Sequence, residues 1–187
     1  MDERDAARQT RRGFGIAATV PFDVIQAAGQ TAESLRYDSF WVNDIPGGDG
    51  LAALAAVASV TTTIRLGVGV LGMSRYTPEA IAARVRDLGL PLDRLVLGVG
   101  SGATGPGSLE RVQEGVRGLK AELECPVVVA ATGPRMARLG GREADGVLFK
   151  WVTPAYAKGS ANWVAEGAAE ARRETPALLA YNRTALG

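Results

Sequence analysis

Seven short apolar runs, rich in Val, Leu and Phe, recur along this chain at 14–20, 39–42, 64–70, 95–99, 127–131, 146–149 and 178–181. Each is almost continuously hydrophobic instead of alternating, the pattern of a parallel strand covered on both faces. Between them lie segments with helical spacing. Leu51, Leu54, Ala55 and Ala58 fall at i, i+3, i+4 and i+7, and Ile81, Val85 and Leu88 mark a second apolar face. The repeat is about 25 to 30 residues, one strand plus one crossover helix. The chain therefore reads as β-α-β-α throughout.

Proline placement points the same way. Pro21, Pro78, Pro134 and Pro154 each follow a strand end and open a helical segment, where a missing N–H costs nothing, and Thr77 and Thr153 stand in front of two of them as N-caps. Pro91, Pro126 and Pro176 instead precede strands, where helices must stop. Two architectures accommodate this order: an open doubly wound sheet and a (β/α)8 barrel. With 187 residues the chain is short for a complete barrel, which typically takes about 250. The expected organisation is a charged N-terminal tail over 1–12 and one barrel-type domain over 13–187 lacking the eighth unit.

Composition removes whole classes of chemistry. There are 21 Lys+Arg against 20 Asp+Glu, so no overall field steers the chain toward nucleic acid. The absence of His removes His-based zinc sites, Ser-His-Asp triads and Cys-His pairs, and the single Cys125 forbids an intrachain disulfide. No metal site is expected. The acidic residues at the N-terminus and the lack of any run near 20 apolar residues point to a cytoplasmic protein without a membrane span.

In a parallel βα protein the ligand site lies at the C-terminal ends of the strands. Those ends are polar and glycine-rich here. Asn43 and Asp44 end the second strand, where Asp44 either exchanges a proton with a ligand or serves as an Asx turn, a role for which Asp49 competes. Glycines at 67, 69 and 72 and at 98, 100 and 102 either permit tight turns or leave bare N–H groups for a flat ring or a phosphate. They match dinucleotide fingerprints only in part, because no carboxylate ends the following strands. Trp151 is placed to wall a planar ligand, whereas Trp41, inside a strand, reads as core and Trp163 as helix packing. Arg183, past the seventh strand, reads either as an anion holder or as a surface residue. Lys150 is the one lysine placed for a barrel lyase or isomerase that binds phosphate.

Taken in order, YDSFWVND at 37–44, TIRLGVGVL at 63–71, RYTPEAIAARV at 75–85, LPLDRLVLGVGSG at 90–102, LERVQEGVRGL at 109–119, VAATGPRMARLGGREADGVL at 129–148 and WVTP at 151–154 resemble the luciferase-like monooxygenase family. The resemblance implies a TIM-type (β/α) barrel and an oxidoreductase that binds FMN or the deazaflavin coenzyme F-420 and acts on a small organic substrate. It places a non-prolyl cis peptide beside the ring at Gly69 and Val70. Gly100, Ser101 and Gly102, with Ala131, Thr132, Gly133 and Pro134, would hold the phosphate-bearing tail, and Asp44 would lie near the ring. Ile45 stands where many members carry His. The family's eighth strand has no counterpart here, so the expected edges on the first and seventh strands suit either a homodimer or a relative retaining only flavin binding or a structural role.

Overall fold

The computed structural model describes residues 11–184. Residues 1–10 of the charged tail, and positions 185–187 of the expected domain, lie outside them. Seven strands alternate with six helices among the described residues. They run β1 (Gly13–Ala17), α1 (Phe22–Ser34), β2 (Ser39–Asn43), α2 (Gly50–Ala58), β3 (Arg65–Gly72), α3 (Pro78–Asp87), β4 (Leu95–Gly100), α4 (Ser108–Glu122), β5 (Val127–Ala131), α5 (Pro134–Glu143), β6 (Gly146–Lys150), α6 (Pro154–Glu170) and β7 (Ala177–Tyr181).

All neighbouring strands pair in parallel, and their order in the sheet is their order in the chain, β1 to β7. A doubly wound sheet must reverse its strand order to place helices on both faces. With no reversal, every crossover helix stays on one face, and the sheet curls as a TIM-type barrel wall. The curl brings its margins together. A Cβ added at Gly15 on β1 would sit 2.8 Å from Tyr181 Cε2 on β7.

The helix-facing side carries the core. Phe40, Val42, Leu66, Val68, Leu97, Val99, Val127 and Val129 are fully buried there, and each such side chain contributes about 1.5–3 kcal/mol of transfer free energy. The other face lines the inside of the curl. Trp41 belongs to it, so the indole is only half-buried and is not part of the helix-facing core. It lies across Gly67 so closely that any side chain at that position would collide with it, and its Nε1 donates to Ser39 Oγ at 2.9 Å.

Helix starts follow the sequence signals closely. Asp49, Thr77 and Thr153 accept from the N–H groups of Ala52, Ala80 and Tyr156 and so cap α2, α3 and α6. Pro78, Pro134 and Pro154 open their helices, while Pro21 is the N-cap of α1 and not its first turn. The first apolar run extends to Val20, but β1 stops at Ala17 and the rest turns into α1. Cys125 is buried at the start of β5, and Trp163 packs edge-on against Tyr156, their ring centroids 5.9 Å apart.

At the margins the helix-facing side is bare. Leu178 on β7 is 47% exposed and Phe14 on β1 is 40% exposed, although Phe14 stacks on Phe40 with ring centroids 5.8 Å apart. Among the described residues no helix is long and apolar enough to cross a membrane.

Candidate functional site at the strand ends

The C-terminal ends of the strands form the open mouth of the curl. On β3 the ladder to β4 slips between Val68 and Leu71, so that Gly69 and Val70 together oppose Gly98, and the Gly69–Val70 peptide is cis. A one-residue bulge re-aims a side chain. Here it turns Val70 onto β4, where side chains added at Gly98 and Gly100 would lie 3.1 and 3.0 Å from its methyl groups.

The glycine clusters therefore do different jobs. Gly98 makes room first for the Val68 carbonyl and then for the Val70 side chain, and Gly100 for Val70, so it is the bulged part of β3 that covers their backbone. Gly72 and Gly102 admit one another, the Cα of Gly102 lying 2.9 Å from where a Gly72 side chain would begin. Gly105 and Gly133, in contrast, have nothing within 4 Å of an added Cβ. The expectation of uncovered backbone holds at Gly133 and not at Gly98 or Gly100 on β4, and Gly105 adds an open position outside the expected set.

Gly105 and Gly133 face each other across a cavity of about 410 Å³. One wall is the β4–α4 loop with Pro106, Gly107 and Ser108; the other is Thr132, Gly133 and Arg135 at the start of α5. Both helices that begin there, α4 and α5, lack a side-chain cap, whereas α2, α3 and α6 have one. Their first-turn N–H groups and the positive ends of their dipoles are left for an anion. Arg135 is the cation on the wall of this cavity, while Arg111 braces the loop behind it, its Nη1 donating to Pro106 O at 3.3 Å and its Nη2 to Ala103 O at 3.5 Å. Glu110, in the first turn of α4, partly offsets that charge.

Thr132 also borders a second cavity, of about 300 Å³, at the ends of β5 and β6. Its walls include Ala131, Lys150, Trp151, Thr153 and Tyr156. Trp151 is 59% exposed at a backbone φ of 54°, held by its N–H to Tyr181 O at 2.8 Å. Lys150 lays its Nζ over the indole, 4.2 Å from the ring centroid. Tyr156 donates its hydroxyl to Thr132 O at 2.8 Å and so ties α6 to the end of β5.

The two polar residues ending β2 part company. Asn43 points into the curl and donates from Nδ2 to Tyr181 Oη at 2.9 Å. Asp44 turns toward the start of α2, its Oδ1 accepting from Gly50 N at 3.1 Å and its Oδ2 from Arg75 Nη2 at 2.6 Å and Tyr76 Oη at 3.4 Å. Burial and then the Asp44 charge raise the Tyr76 phenol above its ordinary value. Ser101 and Gly102 lie in the β4–α4 loop, and Arg183 is exposed two residues past β7. Arg75, Tyr76, Arg111, Tyr156 and Tyr181 are site-bordering residues that sequence reasoning missed. Tyr181 carried a signal, as an aromatic residue with a polar tip at the C-terminal end of an apolar run.

Comparison with known proteins assigns the architecture. The model of the family described as luciferase-like monooxygenase matches residues 6–107 and again 106–185. The chain belongs to this family. Among solved structures, the coenzyme F-420-dependent tetrahydromethanopterin reductase of Methanopyrus kandleri superposes with a TM-score of 0.78 at 19% identity, over 92% of this chain and 65% of that one. An F-420-dependent secondary alcohol dehydrogenase, solved with an F-420–acetone adduct, gives 0.78 and 19% over 92% and 68%. The oxygenating constituent of 3,6-diketocamphane monooxygenase from Pseudomonas putida, solved with FMN, gives 0.70 and 14% over 88% and 64%. This luciferase-like chain thus spans about two thirds of the length of those relatives. At such identities the superpositions establish a shared fold.

Proposed function

We propose that this chain binds FMN or the deazaflavin coenzyme F-420 and serves as an oxidoreductase on a small organic molecule. The observation that carries the reading is the meeting of two uncapped helix starts, on α4 and α5, at one cavity on the same strand-end side of the sheet as the Val70 bulge. A tricyclic ring with an anionic tail needs that combination: a smooth apolar surface, and free N–H donors at one end of it. Solved relatives in complex with an F-420–acetone adduct and with FMN support it.

In this reading Gly69, Val70 and Trp151 wall the ring. The backbone of Ser101 and Gly102 and of Ala131, Thr132, Gly133 and Pro134 holds the tail, Gly100 being covered by Val70, and Lys150 and Arg183 place cations on the β6–β7 side of the mouth. Bound there, the cofactor would supply the redox chemistry. Asn43 contacts the ring or substrate from within the curl. Asp44, with both oxygens engaged, acts by holding Arg75 and Tyr76 at the mouth.

Titration of the purified chain with FMN and with F-420, followed by absorbance and fluorescence, tests this. Saturable binding of one is expected. Gly133→Val, which places a side chain in open space, should weaken it about tenfold or more without lowering stability. Absence of binding by both cofactors would overturn the proposal.

A further inference from the structure

The hydrogen bond between Asn43 and Tyr181 leaves each partner with one unused function. Because Nδ2 is the donor to Tyr181 Oη, Asn43 Oδ1 faces elsewhere, and it lies 3.9 Å from where a side chain at Gly69 would begin. Because the phenol oxygen accepts, its own O–H hydrogen remains to be given. Among the described residues Oδ1 has no donor and this O–H has no acceptor. Lys150, paired with Tyr181 across β6 and β7, is occupied with the Trp151 ring. An acceptor and a donor thus stand side by side inside the curl, next to the bulge.

We infer that Asn43 and Tyr181 together read an imide edge, an N–H beside a carbonyl, on the ring that rests at the Val70 bulge. This rests on the cofactor reading above, since FMN and the deazaflavin share that edge at N3. Asn43 Oδ1 accepts from the ring N–H and Tyr181 Oη donates to the adjacent carbonyl. The pair fixes which end of the ring enters the curl, with the tail directed to the α4–α5 cavity.

Fluorescence titration of the chain with lumiflavin and with 3-methyllumiflavin separates this from a purely structural tie between β2 and β7. The methyl group removes the N–H and leaves the rest of the ring intact. The unmodified chain should bind lumiflavin about tenfold or more tightly than the methylated ring, the value of one satisfied hydrogen bond. Tyr181→Phe and Asn43→Ala should each shrink that preference to within about threefold. Equal affinity of the unmodified chain for the two rings would overturn the inference while leaving the cofactor reading intact. Failure of both rings, and of FMN and F-420, would overturn both. The comparison in the unmodified chain is decisive even if a variant does not fold.

Discussion

Arg75 donates from Nη2 to Asp44 Oδ2 across 2.6 Å and so locks the loop after β3 to the end of β2. The two partners differ in setting, the Asp44 side chain being 2% exposed and the Arg75 side chain 42%. A buried carboxylate deprived of its cation keeps its desolvation cost. Arg75→Met should therefore cost about 1–3 kcal/mol of stability in urea unfolding. Adding Asp44→Asn to that variant should return part of the loss. Equal stability of Arg75→Met and the unmodified chain would contradict a bond of this kind.

Glu33, in the last turns of α1, reaches the loop before β3. Its Oε1 accepts from the N–H groups of Thr62, Thr63 and Ile64 at 3.0, 2.7 and 2.9 Å and from Thr63 Oγ1 at 2.9 Å. Burial pushes the carboxyl upward, yet these donors outweigh it and hold the group at about 2 against an ordinary 4.5. A value depressed in the folded chain adds stability that is complete above pH 4.5 and lost as pH falls toward 2. Glu33→Gln should flatten this part of the acid-unfolding profile. An unchanged profile in that variant would refute the assignment.

Helices α5 and α6 meet backbone to backbone. A side chain at Gly141 would collide with Val164 O, and one at Gly167 with Arg138 O. Gly141→Ala and Gly167→Ala should each destabilise the fold by about 1–3 kcal/mol through overpacking. Gly159, also inside α6, has nothing within 4 Å of an added Cβ. There Gly→Ala should stabilise by about 0.5–1 kcal/mol from helix propensity. Thermal unfolding of the three variants reads the opposite signs directly, and a common sign would refute the packing account.

The Cys125 thiol is pushed up to about 11 from an ordinary 9.0, by burial first and by Asp145 second. Because the thiolate is the nucleophile, alkylation of the native chain at pH 8 should run about a hundredfold slower than that of a free thiol. Iodoacetamide labelling followed by mass spectrometry measures it. A rate like that of an unfolded control would show the side chain to be accessible.

The strand runs and helix caps were legible because the physics that places them is local. Apolar runs of four to seven residues, prolines at first turns, and Asp49, Thr77 and Thr153 at N-caps all act within a few positions of themselves. Facing was not legible. In runs apolar on both sides, alternation carries no mark, so Trp41 reads as core although it lies inside the curl. On β3 the bulge shifts parity by one residue, and no composition signal says that Val70, and not the glycines, will cover β4. Asp44 and Asn43 are adjacent in sequence yet point to different sides of the sheet. Which of them faces a ligand follows from register across three strands, and residues 43 and 44 alone do not contain it.

The exposure gradient across the sheet has a dynamic consequence. Every residue of β4 is buried, while β1 and β7 each leave their first two residues exposed. Amide exchange should accordingly be slowest in the middle of the sheet, with the outer strands fraying at a small fraction of the global unfolding free energy. Val70 and the α4–α5 cavity stand on the durable middle, and the Asn43–Tyr181 bond reaches from β2 across the margin to the fraying β7. A molecule that touches both would be clasped by the margins only as it quiets them, so occupancy and edge order would rise together.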